Sequence, residues 1–259
     1  MPSTRAAAPQ ARPAPMPPPP PDRPFQRVLL KLSGEAFCQP GGFGVDAREL
    51  ELIAAEVRDA TQAGAELAVV VGGGNIIRGA QLAAAGHIHR ATADYMGMLG
   101  TVINALALRE KLGTMGIDSR VMSAIEIRAV AESFIRGRAI RHLQKGRVVI
   151  LAAGTGNPFF STDTCAALRA TELECDVLLK ATKVDGVYTA DPRKDPSAKR
   201  YDHLTFAEAI SKGLAVMDMT ALTMCREHDI PVLVFDFKRT GNIRRVIEGE
   251  SIGTRITQA

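Results

Sequence analysis

The sequence predicts an α/β protein whose mostly parallel central sheet is sandwiched between helices. Short apolar runs alternate along the chain with segments of helical periodicity, the pattern of a sheet covered on both faces. The chemically distinctive residues fall just after the apolar runs, where open α/β sheets bind their ligands. Hydrophobic residues make up 46% of the 259 positions, yet no unbroken apolar stretch approaches the ~18 residues of a membrane span.

Residues 1–24 hold ten of the fifteen prolines, including the run Pro17–Pro21. A segment so poor in backbone donors and apolar surface is expected to be an extended, disordered tail that precedes one catalytic domain over 25–259. Val28–Lys31 then reads as a buried strand. Asp46 is placed to N-cap a helix running to about Ala63, with Leu50, Ile53, Ala54 and Val57 at helical spacing. Leu67–Val71 is a second strand, ending at Gly72-Gly73-Gly74-Asn75. A long helix is expected from Ala93 to Leu112, then strands at Arg120–Ser123, Arg147–Ala152, Val177–Lys180 and Pro231–Phe235. Helices near Ser161–Glu172, Thr205–Lys212 and Ala221–His228 separate or follow them.

Charge excludes an obvious polyanion binder. The net charge is +4, but Arg5, Arg12 and Arg23 against Asp22 place +2 of it in the tail, leaving an ordinary balance on the body. With no Trp and three Tyr, stacking platforms for single strands are not expected either. Cys38, Cys165, Cys175 and Cys225 form no Cys-x-x-Cys pair, which fits reduced thiols in a cytoplasmic protein. His87 and His89 have no acidic or thiol neighbour and read as loop residues rather than metal ligands.

Four loops carry the chemistry. Lys31-Leu32-Ser33-Gly34 follows the first strand, and the glycine triplet follows the second, with Arg78 one turn on. The string from Gly154-Thr155-Gly156-Asn157-Pro158 through Phe159-Phe160-Ser161-Thr162-Asp163 follows a middle strand. Lys180-Ala181-Thr182-Lys183-Val184-Asp185-Gly186-Val187-Tyr188 ends a late one and leads to Asp191. Glycines let backbone N–H groups close on phosphate oxygens, a helix start adds its positive end, and Lys31 and Arg78 supply charge and a planar fork. Asp94 and Asp163 each admit a plainer reading as acids favoured by a helix N-terminus. Phe159 and Phe160 read by default as core. The string Gly-x-x-x-x-Gly-Lys-Ser/Thr is missing, which excludes a P-loop kinase, and no Gly-x-Gly-x-x-Gly follows the first strand.

On these motifs the chain resembles the amino acid kinase superfamily over nearly all of Arg27–Thr257, and within it the bacterial UMP kinases. Lys31 with Gly34, the Gly72–Gly74 triplet and Thr182–Gly186 carry the superfamily resemblance. Thr155–Asp163 and Asp94-Tyr95-Met96-Gly97-Met98-Leu99 carry the narrower one. The resemblance implies transfer of the ATP γ-phosphate to UMP in pyrimidine nucleotide biosynthesis, with a non-catalytic nucleotide-binding or storage relative as the alternative. It implies contacts to ATP from Lys31, Leu32, Ser33, Gly34, Gly74, Arg78, Thr182, Tyr188 and Asp191. UMP would be held by Gly73, Asp94 (at the ribose), Thr155, Gly156, Asn157, Pro158, Phe159, Phe160, Ser161 and Thr162. Catalysis would rest on Lys31, Arg78, Asp163 and Asp218, with Mg²⁺ on the ATP phosphates and no protein ligand assigned to it.

The resemblance further implies a UMP-binding N-terminal lobe, an ATP-binding C-terminal lobe, and a homo-oligomer, a hexamer, activated by GTP and inhibited by UTP. Arg109, Arg120 and Arg147 are the candidates for a GTP site, and Gln39, Pro40, Gly41, Gly42, Phe43 and Gly44 for the responding segment. Gly86–Arg90 departs from the family pattern by a possible one-residue insertion. Neither a nucleic acid nor a membrane is implied as a partner.

Overall fold

The computed structural model describes residues 24–258, apart from 85, 87, 193 and 215. The Pro-rich segment before Pro24, the residue His87 and part of the possible insertion therefore lie outside the described residues. The first half of the chain contributes β1 (Arg27–Leu32), α1 (Ala47–Gln62), β2 (Glu66–Val71), α2 (Gly79–Ala84), α3 (Arg90–Thr114), β3 (Ser119–Ser123), β4 (Glu132–Ser133) and α4 (Arg136–Gln144). The second half contributes β5 (Val148–Ala152), α5 (Thr162–Glu172), β6 (Val177–Thr182), β7 (Val187–Tyr188), β8 (Arg200–Tyr201), β9 (His203–Thr205), α6 (Phe206–Ser211), α7 (Met219–Glu227), β10 (Val232–Asp236), α8 (Asn242–Ile247) and β11 (Thr254–Thr257).

Nine strands form one sheet in the order β4-β3-β5-β2-β1-β6-β10-β11-β9. Its neighbours run parallel except at β10 and β11. Strand alternation divides the core in two. Val28, Leu30 and Leu32 of β1 face α1, α3 and α8, packing with Ile53, Val57, Leu108 and Ile243. Leu29 faces the opposite layer, where α4, α5 and α7 supply Leu143, Ala166, Ala170 and Leu222. The chain builds outward from β1 on one side through β2, β3 and β5, then crosses back to β6 on the other. That reversal makes the carboxyl end of β1 a topological switch point, where a crevice for ligands opens.

Local signals account for the helix starts. Asp46 accepts from the Arg48 and Glu49 amides at 2.9 and 3.0 Å, capping α1. Ser161 does the same for α5 with Asp163 and Thr164, both at 3.0 Å. Thr205 and Glu208 close a reciprocal capping box on α6. The four cysteines are buried and free, and burial pushes the Cys165 thiol up to about 11. No helix among the described residues is long and apolar enough to cross a membrane.

Candidate active site

At the switch point two lysines meet one carboxylate. Val28-Leu29-Leu30-Lys31 of β1 pairs residue for residue with an identical tetrapeptide, Val177-Leu178-Leu179-Lys180 of β6. Register therefore puts Lys31 and Lys180 side by side on the face covered by α5. Asp163, in the first turn of α5, bridges them: Oδ1 lies 2.7 Å from Lys31 Nζ and Oδ2 lies 2.8 Å from Lys180 Nζ. Lys180 also donates to the Val216 carbonyl. Burial alone would raise the Asp163 carboxyl, but the two ammonium charges outweigh it and hold the group below the usual carboxylate range. Burial likewise lowers Lys180, against the pull of Asp163. Lys180 was not among the site residues expected from sequence; the repeated tetrapeptide is the signal that finds it.

The glycines also let separate backbone segments pack against one another. A Cβ on Gly34 would stand 2.4 Å from the Gly74 amide nitrogen, and one on Gly72 only 2.5 Å from that of Gly34. On Gly73 it would strike the Gly97 carbonyl of α3 at 2.6 Å. These three let backbone segments touch each other. Of the set, Gly74 alone has open space where a Cβ would stand. A buried amide pair fixes the arrangement: Asn75 and Asn104 exchange hydrogen bonds at 3.0 and 2.7 Å, while each donates to a carbonyl, Gly44 and Gly72 respectively, at 2.7 Å.

Beside the triplet lies a cleft of about 300 Å³ lined by Ser33, Gly34, Gly72–Gly74, Asp94, Thr101, Gly154, Thr155 and Phe160–Thr162, among others. Four separate segments of the chain converge there. After β5 the backbone turns through left-handed Ala153 and Gly154 (φ 61° and 55°), and the Thr101 hydroxyl accepts the Ala153 amide at 2.6 Å. Thr155 and Asn157 close a small turn at 3.2 Å, with Gly156 packed on Ala124. Asp94 accepts the Phe159 amide at 2.9 Å. Phe159 and Phe160 are not core: they stand 68% and 53% exposed, and Phe160 lines the cleft. Asp218 does not itself line the cleft but bonds Ser161, which does. It caps α7 through the Ala221 amide at 3.0 Å and accepts the Ser161 and Thr164 hydroxyls, tying α7 to the start of α5.

A second cleft, about 710 Å³, adjoins the first at Glu35 and Gly74. Arg78, Gln81 and Lys183 line it, with Gln39, Gly41, Gly42 and Phe43 forming its outer wall. Arg78 is ion-paired with Glu35, a partner that sequence reasoning missed. Pro40 is exposed, and the Gly44 amide bonds to the Asn75 carbonyl at 2.9 Å, joining this wall to the glycine triplet. The Leu32 side chain is buried in the core, so only its backbone could meet a phosphate. Thr182 and Tyr188 line neither cleft: Thr182 bonds the Val184 carbonyl at 2.6 Å and Tyr188 donates to Asp185 at 2.7 Å. Asp191 accepts the Lys194 and Asp195 amides through its carbonyl at 2.9 Å.

Far along the sheet, Arg109 and Arg120 share a third cleft with Arg128 and Arg138. Arg147 stands behind it, 2.8 Å from the Asp118 carboxylate that also binds Arg120. Among the described residues no three His, Cys, Asp or Glu side chains are grouped to hold a metal.

A lysine–aspartate–lysine bridge beside glycine loops, at the switch point of an open sheet and without a P-loop, is an arrangement suited to phosphoryl transfer. A model of the amino acid kinase family matches residues 26–236, and the chain belongs to that family. Its structure is similar to that of the UMP kinase of Bacillus anthracis, with a TM-score of 0.88 and 42% identity over 91% of this chain and 97% of that one. The UMP kinase of Ureaplasma parvum gives 0.84 and 36% over 90% and 98%. The uridylate kinase of Archaeoglobus fulgidus gives 0.68 and 28% over 89% and 100%.

Proposed function

We propose that this chain is a UMP kinase, moving the γ-phosphate of ATP onto UMP to give UDP and ADP, a step of pyrimidine nucleotide supply. The observation that carries the reading is the first cleft, which gathers Gly73, Gly74, Asp94, Thr155 and Phe160–Thr162 next to Lys31, Asp163 and Lys180. In this reading UMP lies in that cleft, in the N-terminal half. ATP lies over the carboxyl ends of β1 and β6 with Thr182, Tyr188 and Asp191 toward its nucleoside end. Its phosphates approach where the two clefts meet, between Gly74, Arg78 and Lys183.

The chemistry needs position and charge more than proton transfer. A phosphate monoester has a second pKa of about 6, so the attacking oxygen is already ionised at neutral pH and no general base is required. Lys31 and Lys180 oppose the negative charge that shifts between donor and acceptor, and Asp163 keeps both ammonium groups in place. Asp218 positions the α5 terminus from which Asp163 projects. Mg²⁺ would arrive on the ATP phosphates and lessen their charge; among the described residues no three His, Cys, Asp or Glu side chains are grouped to cage it.

For regulation, the proposal places GTP at the arginine cleft of Arg109 and Arg120, with Arg147 behind it, and Gln39–Gly44 as the segment that responds. UTP would inhibit by seating uridine in the UMP cleft while its extra phosphates reach into the second one. Oligomerisation has a natural surface: Tyr95, Leu99 and Ile103 stand one helical turn apart on α3 and are all nearly half exposed. A coupled assay of ADP formation with ATP and, in turn, UMP, CMP, dUMP, acetylglutamate or carbamate tests the activity. UMP alone should support rapid turnover. Turnover with a carboxylate or carbamate instead, or with no acceptor, would reject the reading.

A further inference from the structure

The wall of the first cleft contains a clamp whose geometry is unexplained by helix stability. Arg90 Nε sits 2.9 Å from both Asp94 oxygens, and Asp94 Oδ2 also accepts the Phe159 amide at 2.9 Å. The Arg90 guanidinium lies 6.0 Å from the Phe159 ring centroid. Arg90 is the first residue of α3, where the positive end of the helix dipole disfavours a cation. A base followed four residues later by an acid is also the weaker orientation of a helical ion pair. Phe159 in turn holds φ at +72°, a conformation a bulky residue rarely adopts without support. Three locally unfavourable choices thus meet at one carboxylate that faces the cleft.

We infer that Arg90 is a positioning and specificity residue for the acceptor: it orients the Asp94 carboxylate toward the ribose and, through Asp94, latches the Phe159 turn to α3. The inference rests on the reading that UMP occupies this cleft with its ribose at Asp94. A carboxylate offers about four acceptor directions. Arg90 and the Phe159 amide take those of Oδ2, while Oδ1 meets only Arg90. Oδ1 is therefore the oxygen left to accept from a nucleotide hydroxyl. One N–H of Arg90, that of Nε, is shared between both oxygens, which tethers the carboxylate and limits its rotation, and hence the direction of that acceptor. Without Arg90 the carboxylate can rotate, and its preference for a ribose over a deoxyribose weakens.

The test measures kcat and KM for UMP and for dUMP at saturating ATP, in the parent chain, Arg90→Ala and Arg90→Lys. Arg90→Ala should raise the UMP KM about tenfold, lower kcat less than about threefold, and shrink the UMP-to-dUMP ratio of kcat/KM by about tenfold. The ATP KM should not move. Arg90→Lys keeps the charge but not the Nε–H that is shared between both oxygens, so it should fall between the two. Should the alanine variant prove unstable, the lysine variant decides on the same ratio. A parent that prefers UMP together with variants that keep the full preference would overturn the role of Arg90 while leaving the Asp94 reading intact. A parent that uses dUMP as well as UMP would overturn both.

Discussion

Two charge networks of this molecule invite comparison, the buried bridge at β1 and β6 and the arginine-rich edge at β3 and β4. In the first, two lysines share one aspartate and all three side chains are at least four-fifths covered. In the second, Asp118 binds Arg120 and Arg147, while Glu132 lies 3.9 Å from both Arg120 and Arg138 and 3.3 Å from His142. Arg147 also donates to His142 Nδ1 at 3.1 Å. Most of the edge network is about a quarter to a half open to water, and Asp118, Arg120 and Glu132 each have more than one partner. In the interior network both lysines depend on the one carboxylate. Removing one partner from a buried pair costs about 3–5 kcal/mol, whereas an exposed pair contributes about 0–1 kcal/mol. Single substitutions should therefore be drastic at the bridge and graded at the edge.

Asp163→Asn should show the largest effect. An amide cannot neutralise two ammonium groups, so turnover should drop by about a thousandfold or more and the melting temperature should fall. The pH dependence has a definite sign. Because the folded carboxyl is held below its ordinary value, its stabilisation is present above the unfolded value of about 3.9 and is lost as pH falls through the folded one. The gap in melting temperature between parent and variant should be full at neutral pH and close under strong acid. A gap that widened with acidification would mean the bridge is not what holds Asp163 ionised.

Asp94→Ala stands next. It removes the acceptor for the Phe159 amide and for a ribose hydroxyl, which should raise the UMP KM by about one to two decades and leave that of ATP within about twofold. A comparable rise for ATP would put Asp94 in the wrong cleft. Smaller still is Arg120→Ala at the edge: GTP should relieve UTP inhibition severalfold less, with GTP-free activity unchanged, as a redundant network allows. Indifference of the parent to millimolar GTP, in a preparation shown to be hexameric, would remove the regulatory role. Deletion of residues 1–22 should change neither melting temperature nor UDP formation, since that segment offers no apolar pattern to bury; a shift of several degrees would contradict it.

Much of this was legible in the sequence because the signals are local. The short apolar run in Val28–Lys31, the cap at Asp46 and the position of Asp163 three residues past Phe160 all act within a turn or two. The contacts that were missed join distant segments. The Lys31–Lys180 pairing depends on strand register, and Glu35–Arg78 and Asn75–Asn104 span 43 and 29 residues. The glycines were rightly singled out, but Gly34, Gly72 and Gly73 serve contacts between backbones, a demand that appears only when three loops meet. The default reading of Phe159 and Phe160 as core fails: both are exposed, and Phe159 is held by the Asp94 bond in a left-handed turn, which hydrophobicity alone does not reveal. Short elements such as α4 escaped for a different reason: it buries only Ala139 and Leu143, too few positions to set a period.

The most direct test of the buried bridge as the transfer site is a rapid-quench single-turnover measurement of UDP formation by Lys31→Arg, with UMP affinity determined separately. The guanidinium keeps the positive charge but replaces a compact ammonium with a broad fork, at a buried position bridged through Asp163 to Lys180. The account predicts that the chemical step slows by about two to three orders of magnitude while UMP binding changes by less than about threefold. A chemical step within about threefold of the parent would show that Lys31 is a peripheral phosphate contact and that the bridge does not carry the reaction.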